Sequence, residues 1–118
     1  MNAVALRFYV HHTRKHGSVM LFEWLLERAK KMGIHGGSAF QAVAGFGRHG
    51  IIHEQRFFEL AADLPVVVEF IVTPAEADQL IEVVRKEKIH TVCTKTPQEV
   101  IFFSSGPACQ CPVDWSAT

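Results

Sequence analysis

Residues 33–48 read Gly-Ile-His-Gly-Gly-Ser-Ala-Phe-Gln-Ala-Val-Ala-Gly-Phe-Gly-Arg, and this stretch holds the chain's best-defined chemistry. Gly45 and Gly47 flank Phe46 at the end of an alternating segment. Without a Cβ in the way, backbone amides there can approach a ligand closely and form a concavity suited to an anion. Arg48 follows at once, and its planar guanidinium matches a phosphate or carboxylate. Taken alone, Gly-x-Gly-Arg also serves as an ordinary turn, so the elements on either side decide its meaning.

Histidine and cysteine offer a second chemistry. The chain has seven histidines. His11, His12 and His16 lie together, and His49 and His53 stand four apart. Neutral imidazoles can bind zinc, copper or nickel. No carboxylate or cysteine stands at ligand spacing beside them, which favours solvated loop residues. Around a threefold axis, however, one histidine per subunit would make a three-nitrogen site, and a trimeric metal-ion sensor or metal-tolerance protein is the alternative reading. Cys109 and Cys111 are too close to complete a metal site alone and would strain a mutual disulfide. Cys93, in an apolar segment, reads as a small core residue. Glu54, Glu59, Asp63 and Glu69 are scattered, and no nucleophile stands beside a base, so no reaction is proposed by the residues. Glu69 on an apolar strand would be structural if a partner such as Arg7 meets it.

Composition narrows the classes further. A chain of 118 residues makes one domain, and 12 basic residues balance 12 acidic ones. No basic stripe interleaved with aromatics proposes a nucleic-acid partner. The apolar runs are too short for membrane insertion. The N-terminus lacks the pattern of a secretory signal, and three cysteines make no disulfide framework, so the expected compartment is cytoplasmic.

The elements that position the glycines follow from periodicity. Val4, Leu6, Phe8 and Val10 alternate with Arg7 and Tyr9, predicting a first strand over 3–10. A polar connector over 11–17 leads to a helix over 19–32, with Ser18 as N-cap and Gly33 closing it. Leu21, Leu25, Ala29 and Met32 form its apolar stripe. A second strand is expected over 38–44, and 48–56 is an exposed loop. Residues 57–60 and 64–72 supply the third strand. Thr73-Pro74-Ala75-Glu76 is a strong helix start, with Ala77, Leu80, Ile81 and Val84 as its stripe. The last strand is expected in two pieces, 91–94 and 100–103, separated by a turn at Pro97. The tail, 104–118, is rich in Ser, Gly and Pro and is expected to be loose.

The order β-α-β-β-α-β is the ferredoxin-like α+β unit, with two helices on one face of an antiparallel sheet. Its domain would occupy 1–103. The other sheet face, with Tyr9, Phe40 or Gln41, Val67 and Phe102 as candidates, needs a cover that the chain does not supply. A symmetric oligomer is the economical answer.

With these elements in place, Gly33-Ile34-His35-Gly36, Gly45-Phe46-Gly47-Arg48 and Leu64-Pro65-x-Val67-x-Glu69 resemble the PII signal-transduction family in order and spacing. Over 3–103 the chain looks most like a short, PII-like family catalogued as a domain of unknown function. The resemblance implies a homotrimer that holds an adenine nucleotide in clefts between subunits. It also implies a loop, here 48–56, that regulates a partner protein such as a transporter or channel. Gly45, Phe46, Gly47 and Arg48 match the segment lining that cleft, and Ser38 falls, with a one-residue shift, near a threonine that contacts the ligand. The family's Gly-Asp-Gly-Lys phosphate loop after the second helix is missing, as is the basic pair on its last strand. AMP, ADP or a cyclic nucleotide therefore fits better than ATP. Tyrosine modification of the loop is excluded, because the only tyrosine is Tyr9.

Overall fold

The structure is a computed structural model that describes residues 2–45 and 64–103. The alternation at the start of the chain becomes β1 (Asn2–His11), with Val4, Leu6, Phe8 and Val10 all buried. Two short strands follow, β2 (Lys15–His16) and β3 (Val19–Met20), paired as a small hairpin. Helix α1 (Leu21–Lys31) then buries Leu21, Leu25 and Ala29. Ser18 does not cap it. The hairpin places Met20 at the N-cap with no side-chain bond, and the Leu21 N–H donates instead to Arg14 O at 2.7 Å. The expected connector over 11–17 is thus partly ordered into strand.

Gly33 ends the helix as expected. It has φ +86°, and the bonds from Gly33 N to Lys30 O and from Ile34 N to Ala29 O form a Schellman closure. The following strand, β4 (Ser38–Gln41), is shorter than 38–44, although the Ala42 N–H still donates to Pro65 O at 2.9 Å.

Strand β5 (Pro65–Val72) alternates between buried and half-buried positions along its whole length. It leads into α2 (Pro74–Lys86) through the expected capping box. Thr73 Oγ1 accepts from Glu76 N at 3.2 Å, and Glu76 Oε1 accepts from Thr73 N at 2.9 Å. These two bonds satisfy donors that a helix start otherwise leaves unpaired. Thr73→Ala is expected to lower unfolding stability by about 0.5–2 kcal/mol in urea denaturation. A loss below that range would mean that Pro74 and packing hold the start without the box.

The last strand, β6 (Val92–Glu99), is continuous and corrects the expected turn: Pro97 sits within it, opposite Val4. The Ala42–Pro65 bond directs the odd residues of β5 toward β4. Alternation across the ladder then directs the odd residues of β1 toward β6 and leaves the Pro97 nitrogen on the sheet's free edge. A proline is tolerated there because no ladder bond is lost. Residues 100–103 lie beyond the strand.

The sheet order is β4-β5-β1-β6, all antiparallel, with both helices on one face. This is the ferredoxin-like α+β fold. Its core is a single cluster built around Leu6, Phe8, Val68 and Phe70 with Leu25, Ala77 and Leu80 from the helices. No polar side chain is buried among the described residues.

Candidate functional site

The segment that could meet a ligand is positioned by the β4–β5 pair. Ser38 is exposed on β4 opposite Glu69, and Gly45 lies past the end of β4, where a Cβ would come within 3.8 Å of the Pro65 ring at the start of β5. Ser38 and Gly45 therefore flank the same strand pair. Glu69 and Pro65 are four β5 residues apart, about 13 Å at 3.3 Å per residue. Phe46, Gly47 and Arg48 lie outside the described residues, as does the loop over 48–56.

Register resolves which side chains share the open sheet face. Phe40, Val67, Tyr9 and Val92 fall in one row across all four strands. Phe40 is 55% exposed, Tyr9 40% and Val92 57%, a large apolar band for a water-facing surface. Phe40 rather than Gln41 takes the β4 position, because it is Phe40 that pairs with Val67. Val92 takes the place expected of Phe102, because β6 starts its pairing opposite Tyr9. The adjoining row is Ser38, Glu69, Arg7 and Thr94. Within it, Arg7 Nε donates to Glu69 Oε2 at 2.7 Å. Glu69 is thus an ion-paired carboxylate with a structural partner.

On the opposite, helix-bearing side, a cavity of about 290 Å³ opens beside α1. Leu26, Ala29, Ile34 and Phe70 line its apolar part, with Lys30 and His35 beside them. Gly37 borders it for a steric reason: a Cβ there would stand 2.5 Å from Phe70 Cε1, and Phe70 is only 1% exposed and cannot move aside cheaply. The Gly36-Gly37 pair was visible in the sequence, but the ring packed on it was not.

Cys93 faces the helices opposite Phe8, yet β6 is an edge strand, so Cys93 is exposed rather than a core residue. Partial desolvation pushes its thiol up to about 11, with Lys95 opposing weakly, which makes it a poor nucleophile. Among the described residues, no three His, Cys, Asp or Glu side chains converge on a metal-sized site. His49, His53, Cys109 and Cys111 lie outside the described residues. No described helix is long and apolar enough to cross a membrane.

The same fold occurs in solved PII-like signalling proteins. CPII, a nitrogen regulatory PII-like protein from Thiomonas intermedia K12 bound to ADP, AMP and bicarbonate, superposes with a TM-score of 0.56 at 18% identity, covering 85% of this chain and 93% of that one. CPII bound to ADP and bicarbonate gives 0.58 at 20% identity, covering 85% and 89%. A PII-like signaling protein from Thermus thermophilus gives 0.55 at 17% identity, covering 83% and 86%.

The chain itself belongs to the DUF190 family (Uncharacterized ACR), whose profile matches residues 3–100. Among its relatives, a UPF0166 protein of Aquifex aeolicus (strain VF5) is 33% identical over 97 residues, covering 82% of this chain and 91% of its own. A UPF0166 protein of Methanocaldococcus jannaschii is 26% identical over 69 residues, covering 58% and 63%.

Proposed function

We propose that this protein is a cytoplasmic, homotrimeric PII-like regulator rather than an enzyme. It binds AMP or ADP in clefts between subunits and acts on a partner protein, such as a transporter or channel, through the loop at 48–56. The observation that carries the reading is the juxtaposition of Gly45 with Pro65 on a fold whose solved examples include a regulator bound to ADP and AMP. That proximity sets Gly45, the first residue of the Gly-Phe-Gly-Arg segment, beside the start of β5. The exposed row of Phe40, Val67, Tyr9 and Val92 supports the trimer, since an apolar sheet face needs a cover.

In this reading Gly45, Phe46 and Gly47 bring backbone amides to the phosphates, and Arg48 adds a charge-assisted bond. Ser38, on the open face, contacts the ligand across the cleft. The connection from α2 to β6 spans only residues 87–91, with no glycine, which is why a mono- or diphosphate is favoured over ATP. Nucleotide then regulates the partner by binding one state of the 48–56 loop better than another.

Calorimetry with AMP, ADP, ATP and cyclic nucleotides tests the reading. AMP or ADP is expected to bind, and Arg48→Ala to weaken it by about 1.5–3 kcal/mol, the scale of a hydrogen bond to a charged group. Unchanged affinity in the variant would remove Arg48 from the site. No heat with any nucleotide would overturn the nucleotide reading itself.

A further inference from the structure

The β2–β3 hairpin is held to the rest of the molecule at two points of different chemistry. Arg14, just before β2, donates from Nη1 to the backbone carbonyl of His90, in the turn before β6. His16, on β2, lies 2.9 Å through Nε2 from Glu87 Oε1. Its ring also makes a T-shaped contact with Trp24 of α1, with centroids 4.8 Å apart. Three elements thus meet at one imidazole: the hairpin, the second turn of α1, and the C-cap of α2.

Glu87 is placed for this by an unusual helix end. It is the C-cap of α2, and Lys88 after it has φ +58°, the left-handed conformation where glycine is ordinary. Bonds from Lys88 N to Arg85 O and from Ile89 N to Val84 O close the helix. The closure fixes the backbone at the residue whose carboxylate meets His16.

The two tethers respond differently to protons. Arginine keeps its charge throughout the accessible pH range. Histidine is the ordinary side chain that changes charge between pH 5 and 8. Only the doubly protonated ring makes an ion pair with Glu87; the neutral ring retains at most one uncharged-donor hydrogen bond. The other charged or titratable groups on the packed elements include Arg14 and Lys15 on the hairpin side, Glu23, Glu27 and Arg28 on α1, and Glu82, Arg85, Lys86, Lys88 and His90 toward the α2 end. Of all these groups, Glu87 is the one bonded to the ring.

We propose that His16 is a proton-dependent clasp, tightening the hairpin onto the end of α2 when protonated and loosening it when neutral, while Arg14 remains as a fixed tether. The proposal is independent of what the chain binds. It places the clasp near the end of the sheet where β1 finishes, β5 begins and Gly45 meets Pro65.

The test uses the full chain carrying Trp115→Phe, so that Trp24 is the sole indole. Two signals are read at about pH 5.5 and about pH 8, the limits of the histidine range. They are Trp24 emission and the hydrogen-exchange protection of the Val19 amide, corrected for intrinsic exchange. Protection at the lower pH is expected to exceed that at the higher by about 1.4- to fivefold, the range of an exposed ion pair. His16→Gln should abolish both this difference and the pH response of Trp24 emission. Glu87→Gln should reduce the difference in protection, with both variants matching the parent in melting temperature at the higher pH. The variants, rather than pH alone, decide. A pH response that survives His16→Gln, or equal protection at the two pH values in the parent, overturns the clasp. If His16→Gln fails to fold, an undiminished response in Glu87→Gln overturns it equally.

Discussion

Phe70→Ala is expected to remove about 3–5 kcal/mol of unfolding stability, as large core aromatics do when truncated. Phe70 is 1% exposed and packs edge-on against Phe8, with ring centroids 6.3 Å apart and planes at 76°. It also covers Gly37, which can sit so close only because it lacks a side chain. Truncation would remove the ring from three contacts together: the aromatic pair, the glycine loop and the α1 layer. The cavity beside it, about 290 Å³, would enlarge rather than collapse, because Ala29 and Ile34 in its lining are already buried in the core. Set against typical net stabilities of roughly 5–15 kcal/mol, the loss would leave a marginal fold. Urea denaturation at fixed protein concentration measures it. A loss under about 1 kcal/mol would show that the core is not centred on this ring.

The second large effect concerns assembly. Tyr9→Glu combined with Phe40→Glu should convert the proposed trimer to a monomer, read by light scattering as a fall from three times the 13.2 kDa chain mass to one. Both positions lie in the apolar row of the open face and both are exposed within the single chain. The substitutions therefore leave the helix-side core untouched, and far-UV circular dichroism should be preserved. In an assembly buried on that face, each carboxylate would be desolvated without a partner, at a penalty of several kcal/mol per ion. Arg7 is already committed to Glu69 and offers no simple rescue. An unchanged mass in the double variant would mean that this face is not the interface. A parent protein that is itself monomeric would end the trimer reading.

The legible parts of the sequence were those where one strong local rule acts. Thr73-Pro74-Ala75-Glu76 specifies its own helix start through bonds among residues three apart, and the structure forms both. Val4, Leu6, Phe8 and Val10 declare a strand because alternation needs no distant information. Where two rules compete, sequence alone misleads. Pro97 is a turn residue by propensity, but strand position decides, and an outward-facing nitrogen on an edge makes it acceptable. Ser18 is a good cap by type, yet it sits in the turn between β2 and β3, and Met20 takes the α1 entry. Parity is another such case. Whether Phe40 or Gln41 faces outward depends on register with β5, which no local pattern contains.

The candidate site was readable only as a motif. Gly45 sits near the Pro65 ring, while Phe46, Gly47 and Arg48 lie outside the described residues. His16, Trp24 and Glu87 could not have been grouped from the sequence, since 71 residues separate the imidazole from its carboxylate. The hint available was Gly17-Ser18 between a polar pair, Lys15-His16, and an apolar pair, Val19-Met20, a hairpin signal too weak to read amid neighbouring histidines.

Pro97 has a consequence for how the molecule can grow. A four-stranded sheet has two lateral rims, and strands from other chains can in principle extend either one without limit. On the β6 rim one donor is missing and charged Lys95 and Glu99 stand two residues to either side, so a docking strand would meet a gap in its ladder. The β4 rim, Ser38–Gln41, has no proline and no charge. The two rims are therefore unequal partners, and end-to-end polymerisation, which requires both to be receptive, is disfavoured. Closed, finite association is compatible with these rims, through the broad face or by pairing of two β4 rims.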